Sequence, residues 1–441
     1  MHAARASAGT SHRGVSDFGG GRDILVYVSD GLRRQVRDTD RNVCATKITR
    51  PVTPSTTFIL STHNRCATAL ETLSRINECG LNPAAFETIV VDNASTDGTP
   101  AAIEREFPEV RLIKLARNEG SVAKNHGLSE AAGKYVVFLD DDSFPLPGSI
   151  ERMIRHFQLN PRLAAAGFTV TLPSGRRECS AYPNVFIGCG VGLRRSAIND
   201  VGPLPADFFM QAEEYDLSLR LLDADWQVQT FDDLHVHHAK SPATRSSRQK
   251  MQLDVRNNLL LVLRRFPDEW RDPYLKDWMT RYWAMASQSQ RRTAAACGFA
   301  AGVARHLATL TDQPISDRAF EQFARINQTQ TLMLGAARHF NLKRVLLVDW
   351  GKNLLAYRLA CENAGVNVVA IADENFAGQH YGDWPIITDA QARAMDVDGA
   401  IVANLSPVHA AARLAAWRES SPVPVIDLFE QEREAAVAAV A

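Results

Sequence analysis

No run of about 18 apolar residues occurs anywhere in the 441-residue chain, which argues against a transmembrane helix. The N-terminus also lacks the long apolar stretch of a secretory signal. Charge of one sign is missing too. The formal net charge is −1 with 22% charged residues, so no global field draws the chain to nucleic acid or to an anionic membrane. Cysteine is sparse: seven residues, odd in number, widely spread and without a Cys-x-x-Cys pair. Neither a disulfide framework nor a zinc cage is therefore expected, and reduced cytosolic thiols are. No internal repeat is visible. The length predicts two or three domains, each with its own core.

What is present begins with a leader. Residues 1–22 are rich in Gly, Ser, Ala and Arg and read as disordered, and Asp23–Ser29 reads as a short edge strand. The whole segment 1–54 carries no assignable role. From there strand and helix alternate. Strands are expected over Thr57–Ser61, Glu87–Val91, Arg111–Leu115 and Tyr135–Leu139, with helices over 67–79, 100–107 and 121–132 between them. Such alternation predicts a parallel α/β sheet, whose ligands sit beyond the carboxyl ends of the strands. Strand-like segments follow at Phe186–Leu193 and Gln227–Phe231, with a helix over Glu214–Asp223 between them.

The most telling segment is Phe138-Leu139-Asp140-Asp141-Asp142-Ser143. Three adjacent carboxylates repel one another, so a strand end gains nothing from them unless a positive group neutralises them. A hard divalent cation that also grips phosphate oxygens answers this, because Mg²⁺ and Mn²⁺ favour carboxylate oxygen. The alternative is a solvated acidic turn. Against it, polar groups stand at two further strand ends, Thr62-His63-Asn64-Arg65 and Asp92.

In order and spacing, these segments resemble the inverting family 2 glycosyltransferases of the GT-A fold, over about residues 56 to 265. The resemblance rests on Ser61–Arg65, Val90–Thr99, Arg117–Ser121 with Lys124–Gly127, Phe138–Ser143, Gly188–Gly190 with Arg194-Arg195, Glu213–Arg220 and His237-His238. It implies a nucleotide-sugar donor and an Mn²⁺ or Mg²⁺ ion. Asp142 would hold the metal directly, with Asp140 facing the ribose or assisting. His238 would be the late metal-side histidine and His237 the second choice. Asp92 would meet the nucleobase, Thr62 and Asn64 would lie beside the base or ribose, and Asn93 and Arg65 would also contact the donor. Arg117, Asn118, Lys124 and Asn125 would shape the nucleotide pocket and support the acidic loop, and Asp141 and Gly190 would contact the donor. The base that deprotonates the acceptor falls in Glu213-Glu214, where the family more often has Glu-Asp. Glu214 is preferred and Glu213 stays open. For Asp216 and Arg220, four apart on one helix, an ion pair is expected.

The implied acceptor is a glycan or a lipid-linked sugar in surface-polysaccharide assembly, acted on in the cytoplasm or at the inner face of the plasma membrane. The fold class is α/β: a GT-A domain (55–245) with a mixed, mainly parallel sheet, a helical extension (246–340), and a second domain (341–441) that resembles a Rossmann-like nucleotide-binding module. In the extension, the run Arg256–Pro267 reads as a packed helix or as a membrane-surface contact, with Trp270, Trp278, Tyr282 and Trp283 as core or interfacial rim. The C-terminal module has Gly351 where a dinucleotide fingerprint wants three glycines, and Asp373 near the place of a ribose-binding acid. A non-catalytic sugar-nucleotide sensor or scaffold and a bifunctional enzyme with a nucleotide-binding C-terminal domain are the alternative readings. Oligomeric state is left open.

Overall fold

The computed structural model describes residues 54–240, 247–309 and 312–438. The leader, with its expected edge strand at 23–29, lies outside the described residues. The first half is built on β1 (Thr56–Thr62), β2 (Phe86–Asp92), β3 (Arg111–Lys114) and β4 (Tyr135–Asp140), joined by α1 (Cys66–Asn77), α2 (Thr99–Glu106) and α3 (Lys124–Glu130). These strands are parallel. Phe58-Ile59-Leu60 and Tyr135–Leu139 are buried throughout, which is why they read as unbroken apolar runs rather than alternating ones. The expected third helix divides into a 3₁₀ turn, Gly120–Ala123, and α3.

The sheet continues through β5 (Ser143–Pro145), α4 (Ser149–Leu159), β6 (Leu163–Thr171), β7 (Arg177–Glu178), β8 (Val191–Arg194), α5 (Arg195–Val201), α6 (Glu213–Asp223) and β9 (Gln227–His238). Strand order is β3-β2-β1-β4-β8-β6-β9-β5, with β7 on β6. β8 is antiparallel to both its neighbours, so the sheet is mixed. Two expected spans change. Phe186–Gly190 is loop, and only Val191–Arg194 pairs. The strand expected over Gln227–Phe231 runs on to His238, because its polar end still finds β6 on one side and β5 on the other.

Five helices follow: α7 (Ser247–Arg265), α8 (Asp268–Gln288), α9 (Arg292–Thr309), α10 (Asp317–Ala324) and α11 (Ile326–Phe340). Leu259, Leu260, Leu261 and Val262 are all buried, so this run is core and not a membrane face. Trp278 and Tyr282 are buried as well, whereas Trp283 is exposed. No described helix is long and apolar enough to cross a membrane.

A second sheet closes the chain: β10 (Arg344–Val348), α12 (Leu354–Ala364), β11 (Asn367–Ala372), β12 (His380–Tyr381), β13 (Trp384–Ile387), α13 (Asp389–Arg393), β14 (Gly399–Val402), α14 (Pro407–Arg418), β15 (Val425–Ile426) and α15 (Glu430–Ala438). Its order is β12-β13-β11-β10-β14-β15, parallel except for the short β12–β13 hairpin, which the sequence pattern does not announce. One hydrophobic core runs from Ile59 in β1 through Trp278 to Phe429. The C-terminal sheet is thus packed into the rest of the chain, not set apart as the sequence suggests.

Candidate active site

Three strand ends meet because the ladders are in register: Thr62 lies opposite Asp92, and Ser61 opposite Asp140. The three acidic residues that follow take separate directions. Asp140 accepts from Lys124 Nζ at 2.8 Å, and Lys124 also donates to the Gly188 carbonyl at 2.9 Å. Asp141 turns inward, accepting from Thr62 Oγ1 at 2.8 Å and from Arg65 at 2.6 Å. Burial pushes its carboxyl up to about 6 against the pull of Arg65 and Thr62. These contacts anchor the loop. Asp142 accepts from Arg65 at 2.7 Å and lies 3.3 Å from His238 Nε2. Burial opposes its ionisation, but His238 and Arg65 hold it well below the usual carboxylate range.

The two histidines part company because neighbouring residues of a strand face opposite ways. His238 faces Asp142, and its Nδ1 lies 2.9 Å from Glu178 Oε2. His237 lies against the Phe144 ring, 5.2 Å between centroids, and does not join the acidic loop. Donor atoms of Asp140, Cys189 and His238 lie within 4.8 Å of one another. Burial pushes the Cys189 thiol up, so the effective donors here are carboxylate and imidazole, a set suited to Mn²⁺ or Mg²⁺ more than to a soft metal. Glu178 is placed to fix the histidine ring, as a carboxylate behind a metal-binding imidazole does. His238 between two carboxylates favours its charged form despite burial, pushed up to about 12, so a cation binding there would displace a proton.

Asp92 is buried, with Oδ2 accepting from Ser95 N at 3.1 Å and Oδ1 without a hydrogen-bond partner. A buried carboxylate oxygen left free is costly unless a ligand donates to it. The remaining expected residues support loops. Asn93 bridges Gly120 O and Glu119 N, each at 3.0 Å. Asn64 accepts from Thr96 N at 2.7 Å, Asn118 from Gly120 N at 2.9 Å, and Asn125 pairs with both backbone groups of Leu204. Arg117 is 83% exposed and paired with Glu119, so it faces solvent. Gly190 lets strands approach: a Cβ there would come within 3.1 Å of Val170 and 3.3 Å of Val236.

Residues 57–202 match a family model described as Glycosyl transferase family 2. That segment, about a third of the chain, is what the chain shares with glycosyl transferase family 2. The chain is 36% identical over 105 residues to the succinoglycan biosynthesis protein ExoO of Rhizobium meliloti, covering 23% of this chain and 29% of that one. It is 25% identical over 236 residues to an N-acetylglucosaminyl-diphospho-decaprenol L-rhamnosyltransferase of Mycobacterium tuberculosis, covering 42% and 77%. It spans only 37% of another relative, an uncharacterized glycosyltransferase YwdF of Bacillus subtilis, at 35% identity over 103 residues, or 23% of this chain. Among solved structures, a Pyrobaculum calidifontis mannosyltransferase in complex with GDP-Man and Mn²⁺ superposes at a TM-score of 0.42, with 21% identity over 70% of this chain and 87% of that one. S. aureus TarS 1-349 in complex with UDP-GlcNAc gives 0.44, with 14% identity over 70% and 90%.

A second cluster of carboxylates lies at the head of α6. Glu213 is buried, with Oε1 accepting from Ser121 Oγ and Oε2 without a hydrogen-bond partner. Glu214 instead lines a cleft of about 220 Å³. Burial, then the charge of Glu213, push its carboxyl well above the usual range. The loop before this pair is unusual: Phe209, Gln211 and Ala212 all have positive φ, at 64, 73 and 66°. Such strain persists only where its surroundings impose it. Here Asn257 of α7 reaches the carbonyls of Phe208, Met210 and Gln211 at 2.9, 2.7 and 2.7 Å. The expected pair Asp216–Arg220 forms at 2.8 Å, and Arg265 of α7 adds a second contact to Asp216 at 2.6 Å. Glu178, Asn257 and Lys352, another residue of the cleft, were not legible in the sequence, since each acts through a partner distant in the chain.

Proposed function

We propose that the chain is a divalent-metal-dependent, inverting glycosyltransferase that moves a sugar from a nucleotide-sugar donor to a glycan or lipid-linked acceptor. The observation that carries this reading is the convergence of Asp92, Asp140 and Asp142 at in-register strand ends, with His238 facing Asp142. The names of the Rhizobium and Mycobacterium relatives support surface-glycan assembly as the setting. The free Oδ1 of Asp92 suits an N–H of the donor's base. Asp142, Asp140 and His238 would hold the cation, with Glu178 orienting the ring. Once bound, it would supply positive charge for the leaving diphosphate.

Glu214 takes the proton from the acceptor hydroxyl and becomes a neutral acid. The acceptor oxygen forms its bond to the anomeric carbon from the face opposite the phosphate. The bond from that carbon to the phosphate oxygen breaks, and its electron pair leaves with the nucleoside diphosphate. A raised carboxyl affinity for protons helps Glu214 keep what it takes.

The test is a thermal-shift panel of UDP-, dTDP- and GDP-sugars, each with Mn²⁺, Mg²⁺ or EDTA. One donor should raise the midpoint, and only with metal, because a ligand confined to the folded state stabilises it. Asp142→Ala should lose that shift. A donor shift indifferent to EDTA and to Asp142→Ala would overturn the metal assignment. Glu214→Gln should keep the donor shift and lower release of nucleoside diphosphate by about 10²-fold or more. If release survives in Glu214→Gln but not in Glu213→Gln, Glu213 is the base.

A further inference from the structure

In a doubly wound sheet, ligands sit at the turns beyond the strand ends, beside the point where strand order reverses. In the C-terminal sheet that point falls between β10 and β14, and the turn after β10 is residues 349–353. This turn is filled by the protein itself. The Lys352 carbonyl accepts from Trp278 Nε1 at 2.8 Å and from Tyr182 OH at 3.1 Å, and the Trp350 carbonyl accepts from Arg281 at 2.9 Å. Asp373, expected near a ribose, spends its oxygens on Trp350 N and Asn375 N, both at 2.9 Å. The backbone of Lys352 is thus held by both the glycosyltransferase domain and α8.

Its side chain enters the cleft that Glu214 lines, together with Tyr215, Asp254 and Asn258. Nζ donates to Asn258 Oδ1 at 2.7 Å and stands 4.1 Å from the Tyr215 ring centre and 4.7 Å from that of Trp278. An amide and two ring faces replace part of the water an ammonium would otherwise have. A cation drawn out of water loses solvation and needs compensation by charge. The acidic groups that supply it are Asp254 and Glu214. Glu214 has the opposite need, since Glu213 beside it resists a second negative charge.

We propose that Lys352, delivered by the C-terminal sheet into the cleft that Glu214 lines, is a positioning residue whose charge keeps Glu214 ionised. The inference rests on the reading of Glu214 as the base. It makes the C-terminal sheet part of the catalytic site and not a separate nucleotide-binding module. Other titratable groups facing the pair are Glu213 and Tyr215 on α6, Asp254 on α7, Arg281 and Tyr282 on α8, and Cys179 beside them. Of these, Arg281 is the other cation, and its guanidinium is committed to the Trp350 carbonyl and to Met285 Sδ at 3.2 Å. Burial brings the Lys352 ammonium down to about 7, with Asp254 and Glu214 opposing the fall.

The test uses the full chain with Lys352→Met and Lys352→Arg, plus Lys352→Gln, which keeps a donor for Asn258. Donor-induced thermal shifts with metal should match those of the unmodified chain, since the donor site is elsewhere. Nucleoside diphosphate release at pH 7 should fall about tenfold or more in the Met variant, because more of Glu214 would then be protonated and unable to act as the base. The acidic limb of kcat/KM against pH should move to higher pH in Lys352→Met and return toward the original in Lys352→Arg. If Met does not fold, Gln provides the same comparison. An unmoved acidic limb in a folded neutral variant overturns the proposal, as does a change confined to the acceptor KM. If the unmodified chain shows neither donor shift nor release, the glycosyltransferase reading fails, and this inference with it.

Discussion

Asn257 touches no group assigned to donor or acceptor, yet the position of Glu214 depends on it. Its amide ties three carbonyls of a loop in which three non-glycine residues hold positive φ. Asn257→Ala would remove this donor from the Met210 and Gln211 carbonyls, while Phe208 O keeps Arg256, costing on the order of 2–3 kcal/mol. The expected result is a lower urea midpoint and slower nucleoside diphosphate release, while the donor-induced shift persists. A midpoint and rate equal to those of the unmodified chain would refute the clamp. The contrast with the acidic triplet is instructive. Asp140–Asp142 are legible because three carboxylates after an apolar strand conflict with local physics. A single asparagine in a helix conflicts with nothing, so its role is invisible until the loop is seen against it.

At the level of elements, strand alternation decides what the sequence left open between His237 and His238. β9 continues past Asp232 and Asp233 with a shift of register, Phe168 opposite Phe231 but Thr169 opposite His235. Leu234 and Val236 then point inward, and His238 shares their side. The 3₁₀ turn Gly120–Ala123 does a comparable task for the acidic pair. Gly120 has φ +69°, and a Cβ there would lie 2.2 Å from the Phe209 carbonyl oxygen. No side chain can yield at that contact because the obstacle is backbone. Gly120→Ala should therefore cost about 2 kcal/mol or more. It should also pull Ser121 off Glu213. Chemical denaturation gives the first effect, and the rate of nucleoside diphosphate release gives the second. Unchanged stability would mean that the loop at Phe209 yields freely.

Across the whole molecule, the helical layer joins the two sheets, and its junction carries a titrating group. Asp277 of α8 is buried and accepts from Tyr381 OH, while its Oδ2 has no hydrogen-bond partner. Burial raises its carboxyl to about 7, against the Tyr381 bond and the charges of Arg358 and Arg281. A carboxyl raised in the folded state contributes stability that is complete below its unfolded value near 4. That contribution is lost as pH rises through about 7. Urea midpoints measured from about pH 5 to about pH 8 should fall more steeply for the unmodified chain than for Asp277→Asn, which cannot ionise. Parallel slopes would show that Asp277 does not titrate in this range.

The sequence by itself determined the βα alternation, the strand ends where Thr62, Asp92 and Asp140 emerge, and the candidate head of α6. These follow from periodicity and from charges that a short stretch of chain cannot satisfy alone. It could not determine that Asp141 turns inward, that Arg117 faces solvent, or that the C-terminal sheet shares a core with the first. Those outcomes depend on which partner lies within a few ångströms. Only tertiary packing brings Arg65 to Asp141, Glu178 to His238 and Lys352 to the cleft of Glu214, across separations of 76, 60 and 138 residues.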